Sequence, residues 1–302
     1  MPNKTIITIA VLTYRRPQSL MCTLQSLYVL QEPENVDLRL LIVDNDAVCS
    51  AASMVEAYQY LSPWPVTYAV APVRGIPFAR NKALEEAMDS DFIAFIDDDD
   101  IADSKWIQTL YETLLKYGAE VVAGCMRYRF PTGHERLATL DLFADIATAT
   151  GAQLPSAWSG NVLFSAKLYR EWGLRFDTDF RFCGGSDHHF FAMAGKRSAR
   201  IIMCREAIIY SDISQQRTKR RWLVRRSLRN GATRSIADRK INGLRYAFGQ
   251  ACCSVSSGVP YALRLMRGSI KGEVLTIHPF LAICFIAGRI CGLVGLTPQE
   301  YR

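Results

Sequence analysis

The chain has 302 residues, 49% hydrophobic and 22% charged, with no low-complexity tract, which excludes a disordered or fibrous protein. That length can bury a large core, as one big domain or a domain with an appendage. The net charge of +7 is uneven: residues 196–271 hold 18 Lys and Arg against three acids, Glu206, Asp212 and Asp238, so that stretch calls for an anionic partner.

Two further exclusions come from the bulk sequence. Lys4 is followed at once by the run Ile6–Leu12, too short for a secretory signal and without a plausible cleavage site. Nine cysteines, an odd number with no CxxC pair, point to free thiols in a reducing compartment rather than to disulfides or zinc.

The first half alternates strand-like and helix-like segments. Ile6–Thr13 is a β-branched apolar run, expected as a buried strand. Arg16-Pro17 opens an amphipathic helix with Leu20, Leu24, Leu27 and Tyr28 on one face. Asp37–Val43 is a second strand, Met54–Leu61 a helix and Val66–Val70 a third strand. Pro77–Met88 is a helix with Ala79, Ala83 and Ala87 aligned, Asp91–Ile96 a fourth strand, and Trp106–Tyr117 a helix stopped by Gly118. Glu120–Gly124 begins a fifth strand. Strands alternating with helices predict βαβ units, hence an α/β fold with a largely parallel sheet.

The fourth strand ends in four aspartates, Asp97 to Asp100. Four like charges are costly together unless something cationic joins them. Asp97 and Asp99, two apart on an extended backbone, can converge on one divalent cation that prefers oxygen, Mg²⁺ or Mn²⁺. Asp100 and Asp103 read as an acidic loop and helix start. Thr13-Tyr14, Asp44-Asn45-Asp46 and Asp97–Asp100 all follow strands, so they should share one sheet edge, where ligands of open α/β sheets bind.

Residues 125–195 are less regular, with two glycine-centred features, Trp158-Ser159-Gly160-Asn161 and Cys183-Gly184-Gly185-Ser186-Asp187-His188. The run Arg217–Arg229, with Trp222 and Leu223 interleaved, reads as a basic amphipathic helix suited to an anionic membrane surface. Val274–Leu296 is long enough to span a bilayer, but Arg289 deep within it is costly there. An interfacial segment is favoured over a span, and a buried helix pair competes closely with it.

In this order, Val11–Pro17, Ile42–Asn45, Gly75–Asn81, Phe95–Asp99 and Gly184–Asp187 resemble the inverting family 2 glycosyltransferases over roughly residues 5–230, closest to bacterial exopolysaccharide enzymes. The resemblance implies a GT-A fold, a mostly parallel Rossmann-like sheet flanked by helices, carrying a basic, partly apolar helical extension. Residues 1–215 would form the catalytic domain and 216–302 a membrane-associating region.

The resemblance also assigns roles. Asp44 would accept from the uracil N3–H, Thr13 and Tyr14 would line the nucleotide pocket, and Arg80 would contact the nucleotide. Asp97 and Asp98 would hold the ribose and metal region, and Asp99 with Asp97 would ligate the metal. Trp158 would stack on the sugar. Asp187 would be the general base, in a chain where Ser186 stands in place of the usual Glu. The implied reaction moves a sugar, with glucose a candidate, from a UDP-sugar to a polyprenyl-diphosphate-linked oligosaccharide in exopolysaccharide synthesis. The enzyme would sit at the cytoplasmic face of the membrane. Two rivals stand beside it: a metal-dependent nucleotidyltransferase, disfavoured because Thr13–Pro17 lacks a glycine-rich phosphate loop, and a non-enzymatic anion-binding protein. No nucleic-acid module is recognised.

Overall fold

The computed structural model describes residues 4–143, 148–270 and 277–298. It divides into two compact units: Met1–Arg129 with Asp145–Arg181 and Ser186–Asp212, and Phe130–Ala144 with Phe182–Gly185 and Ile213–Arg302.

In the first unit, β1 (Thr5–Thr13), α1 (Pro17–Tyr28), β2 (Val36–Asp44), α2 (Ala52–Tyr58), β3 (Val66–Val70), α3 (Ile76–Glu86) and β4 (Phe92–Asp97) follow the predicted alternation. Then come β5 (Asp100–Ala102), α4 (Trp106–Tyr117), β6 (Val121–Arg129), β7 (Asn161–Ser165), α5 (Lys167–Arg170), α6 (Ser186–Lys196) and β8 (Ile201–Asp212). Among the described residues the strands form one sheet in the order β3-β2-β1-β4-β7-β6-β8-β5. β1 to β4 pair in parallel, and β7 turns the sheet by running antiparallel to both β4 and β6.

Burial on both faces explains the continuous apolar runs. Ile7, Ile9 and Val11 of β1 join a cluster with Leu20, Leu24 and Leu27 of α1, while Ala10 faces Ala79 and Ala83 of α3 on the other side. Tyr28, expected on the packed face of α1, is instead exposed, because the helix ends there. Gly118 adopts φ +56° and stops α4, as its sequence position predicts.

The second unit holds α7 (Arg220–Asn242), α8 (Leu244–Ile270) and α9 (Ile277–Leu293). α7 and α9 approach backbone to backbone. A Cβ on Gly231 would fall 1.9 Å from the Phe285 carbonyl oxygen, and one on Gly288 would fall 2.0 Å from that of Leu228. Arg289 is buried and pairs at 2.8 Å with buried Asp238. The apolar C-terminal stretch is therefore, over Ile277–Leu293, a helix packed within its unit, and Arg289 is there for Asp238. Residues 274–276 lie outside the described residues. No helix among the described residues is long and apolar enough to cross a membrane. Trp222 and Leu223, expected as a lipid-facing surface, are turned inward: Leu223 is buried and Trp222 stacks on Phe143. Arg229 is buried as well.

Candidate active site

The chain runs from β1 outward to β2 and β3, then returns to the other side of β1 as β4. That reversal makes the carboxyl ends of β1 and β4 the switch point of the sheet, where ligands of open α/β sheets bind. Register sets Thr13 beside Asp44 and Leu12 beside Asp97, so the three polar strand ends share one edge as expected. Asp44 is fully buried. It accepts from the Asp46 and Ala51 amides at 3.0 and 2.8 Å and from the Tyr68 hydroxyl at 2.8 Å. Burial, then the Asp44 carboxylate, push the Tyr68 hydroxyl well above the ordinary phenol value, so it stays a donor. Asn45 holds the next loop, donating to the Ala71 and Val73 carbonyls and accepting from the Gly75 amide at 2.7 Å. The guanidinium groups of Arg15 and Arg74 lie over the Tyr14 ring, 5.1 and 4.8 Å from its centre.

β4 ends at Asp97, a turn holds Asp98 and Asp99, and Asp100 opens β5. Asp97, Asp99 and Asp100 each place a carboxylate oxygen within 4.8 Å of the others. Oxygens bind Mg²⁺ or Mn²⁺ at roughly 2.1 Å, so this set closes on one ion with small side-chain adjustment, and the donor type is right. Asp98 is not part of that set. It accepts from Thr13 Oγ1 at 2.7 Å and meets Arg16 at 3.4 Å, which also reaches Asp99 at 3.4 Å. Burial pushes the Asp98 carboxyl up to about 6, against the opposing pull of Thr13 and Arg16.

Asp187 opens α6. Its Oδ1 accepts from the His188 amide at 2.8 Å, and its Oδ2 faces the amide and hydroxyl of Ser159 at 3.5 Å. Burial pushes this carboxyl up, but Arg80 and the two amides outweigh it and leave it below the ordinary carboxylate value. Arg80 reaches the segments on either side of Asp187. Its Nη1 donates to Ser186 Oγ at 2.7 Å, its Nη2 donates to Ser159 Oγ, and Nη2 lies 3.9 Å from Asp187 Oδ2. Arg80 sits on the buried face of α3 with Pro77, Ala79 and Ala83, which aims it inward. The next residue after Ser159 matters equally: a Cβ on Gly160 would fall 2.9 Å from Asp97 Oδ2. Adjacent residues Ser159 and Gly160 thus touch Asp187 on one side and the aspartate cluster on the other.

A half-buried carboxylate beside a carboxylate cluster, at the switch point of a parallel sheet, suits transfer from a donor with an anionic leaving group. The family model Glycosyl transferase family 2 matches residues 8–173. The chain belongs to glycosyl transferase family 2. It is 32% identical over 313 residues to the succinoglycan biosynthesis protein ExoM of Rhizobium meliloti (strain 1021), covering 99% of this chain and 97% of that one. The mannosyltransferase PcManGT of Pyrobaculum calidifontis, solved with GDP-Man and Mn²⁺, is similar at TM-score 0.64 and 17% identity, covering 97% and 88% of the two chains. S. aureus TarS 1–349, solved with UDP, matches at TM-score 0.56 and 15% identity over 99% and 93%. Of a longer TarS chain the match spans 43%. The fold is GT-A and the protein is a glycosyltransferase, which sets aside the nucleotidyltransferase and the non-enzymatic reading.

Within this family 2 chain the remaining residues sort by geometry. Trp158 is half-buried and packs on the α3-side core. Asn161 belongs to the scaffold: it accepts from Trp106 Nε1 at 2.8 Å and donates to the Cys125 and Ala207 carbonyls. Gly184 and Gly185 take φ +75° and +92°, conformations that L side chains rarely adopt. By sequence Asp100 reads as part of an acidic loop; because the chain turns after Asp97, the structure brings the Asp100 carboxylate beside those of Asp97 and Asp99. Sequence reasoning missed Ser159 and Ser186 as partners of Arg80. Their small hydroxyls carry no signal until α3, α6 and β7 are assembled.

Proposed function

We propose that this glycosyltransferase moves a sugar with inversion from a UDP-sugar to a lipid-linked oligosaccharide, as a step in exopolysaccharide synthesis. The observation that carries the reading is the meeting of Asp187 and the aspartate cluster at Ser159-Gly160. The ExoM relative supports the polysaccharide setting, and the TarS complex with UDP supports a uridine donor. Glucose is the sugar to screen first.

In this reading Asp187 Oδ2 takes the acceptor hydroxyl's proton as that oxygen attacks the anomeric carbon. The bond from that carbon to the phosphate oxygen breaks on the far face, its electron pair leaves with UDP, and the configuration inverts. Asp187 suits this role because it is ionised at neutral pH. Asp97 and Asp99, with Asp100 added to the expected pair, would hold Mg²⁺ or Mn²⁺, which when bound neutralises the diphosphate leaving group. Asp44 has one of about four carboxylate lone-pair positions left for the uracil N3–H. Thr13 and Tyr14 line the nucleotide side, Asp98 takes the ribose, and Trp158 offers a face to the sugar.

The lipid-linked acceptor would bring the enzyme to the cytoplasmic face of the membrane. Two features of the second unit support that. Arg220, Arg221 and Arg225 are exposed on α7. Leu244, Phe248, Val255 and Val259 form an exposed apolar stripe at helical spacing on α8.

Calorimetry with UDP, with and without Mn²⁺, on the intact chain and on Asp99→Ala tests the nucleotide site. The expected result is metal-dependent binding lost in the variant; no binding by the intact chain under either condition sinks the UDP reading. Asp187→Asn is expected to abolish transfer while leaving UDP affinity nearly intact. Loss of both together refutes the base assignment.

A further inference from the structure

Arg80 is an anomaly for a nucleotide contact. Its side chain is 10% exposed, and a buried guanidinium is costly unless its donors and its charge are met. Both needs are met at the base. Ser186 and Ser159 accept from its two terminal nitrogens, and the ring of Phe176 lies 5.3 Å below it. The carboxylate facing it is Asp187, whose own side chain is 25% exposed. The two serines belong to different elements: Ser159 precedes β7, and Ser186 opens α6 immediately before Asp187. Arg80, on α3, therefore ties together the two segments that position the base.

The distances decide what it does there. At 3.9 Å, Arg80 is too far from Asp187 Oδ2 to donate a short hydrogen bond, and Ser159 also stands off at 3.5 Å. Oδ1, by contrast, is fixed by the His188 amide at 2.8 Å. One oxygen is anchored. The other is faced by a cation but keeps capacity for an incoming proton.

We propose that Arg80 is a positioning residue for the transfer reaction, held by Ser159 and Ser186 so that its guanidinium aims the Asp187 carboxylate and keeps Oδ2 available to the acceptor. This rests on Asp187 as the base, and it reassigns Arg80 from the nucleotide to the acceptor side of the site. Ser186 acquires a function of its own, because its hydroxyl holds the guanidinium without adding a second carboxylate that would compete with Asp187 for it.

The test compares the full-length chain with Arg80→Gln, Arg80→Lys and Ser186→Ala, using Mn²⁺, UDP and UDP-glucose as probes. Three readouts are taken: the Asp187 carboxyl titration by carbon-13 NMR, UDP affinity with Mn²⁺, and the pH profile of UDP release from UDP-glucose. In Arg80→Gln the Asp187 midpoint is expected to rise by about one pH unit, since an adjacent cation is removed. The acid limb of the rate profile should follow it. Turnover should fall on the order of 100-fold, with UDP affinity within about twofold of the intact chain. Arg80→Lys should restore most of the midpoint, because charge is retained, but less of the rate, because a point charge cannot hold both serines. Ser186→Ala removes one contact without unbalancing a charge. It keeps the test alive if Arg80→Gln fails to fold, and its midpoint and rate should shift the same way by less. A large loss of UDP affinity with an unmoved Asp187 midpoint makes Arg80 a nucleotide contact and overturns the proposal. An intact chain that binds no UDP overturns the donor reading instead, and the titration then decides the Arg80–Asp187 coupling by itself.

Discussion

Asp98 shows at a single residue what burying a carboxylate costs. Its carboxyl is pushed from 3.8 to about 6 by burial. The folded chain thus holds this proton more tightly than the unfolded chain does. The associated stability is complete below 3.8 and is lost as pH rises through about 6, a cost of about 3 kcal/mol at neutral pH. Asp98→Asn should therefore raise the melting temperature of chelator-treated protein at pH 7 and change it little at pH 4. A gain of equal size at both pH values would show that ionisation of Asp98 is not its source. Gly160 is constrained in a different way. A methyl there lands 2.9 Å from Asp97 Oδ2 and 3.1 Å from Met126 Cε, both side-chain atoms able to move. Gly160→Ala should keep the fold and weaken Mn²⁺-dependent UDP binding about tenfold or more, as Asp97 is displaced from the cluster. Unchanged metal dependence in calorimetry would place Asp97 outside the metal site.

Elements carry a different logic, most visible where α7 meets α9. Gly231, Gly288 and Gly292 stand where any Cβ would fall 1.9–2.3 Å from a backbone oxygen of the facing helix. Gly288→Val forces the helices apart and should cost on the order of 3 kcal/mol in urea melts. The same interface buries Arg289 against Asp238 at 2.8 Å, with Arg234 adding a longer contact at 3.7 Å. Arg289→Leu leaves Asp238 without its closer partner and should cost roughly 3–5 kcal/mol, while Arg289→Leu with Asp238→Leu should recover most of that. Equal costs for the single and double variants would mean that the arginine matters for packing alone. Hydropathy could not distinguish this helix from a membrane-facing one, because the partner that explains Arg289 is 51 residues away in the chain.

Across the whole molecule the uneven charge is the feature that bears on location. Each exposed arginine near an anionic surface is worth about 1 kcal/mol, so Arg220, Arg221 and Arg225 changed together to Gln should weaken sedimentation with phosphatidylglycerol vesicles on the order of 100-fold. Salt should weaken the intact chain in the same assay. Binding that ignores both would move the membrane contact to the apolar stripe of α8 alone. Trp222, Leu223 and Arg229 are poor probes for this purpose, since all three are engaged within their unit.

What the sequence determined by itself was local or periodic. Apolar runs bounded by polar strand ends set β1 to β4 in order, Gly118 set the end of α4, and the aspartates after Ile96 marked a candidate cation site. These signals lie within a few residues of one another, where backbone sterics, side-chain alternation and like-charge repulsion act directly. Tertiary structure decided the rest. The turn after Asp97 brought Asp100 into the cluster, burial of one face of α3 sent Arg80 to Asp187, and helix packing turned Trp222 inward and paired Arg289. Each of these depends on which distant group supplies a counter-charge, an acceptor or a van der Waals surface, and that choice exists only once the elements have packed.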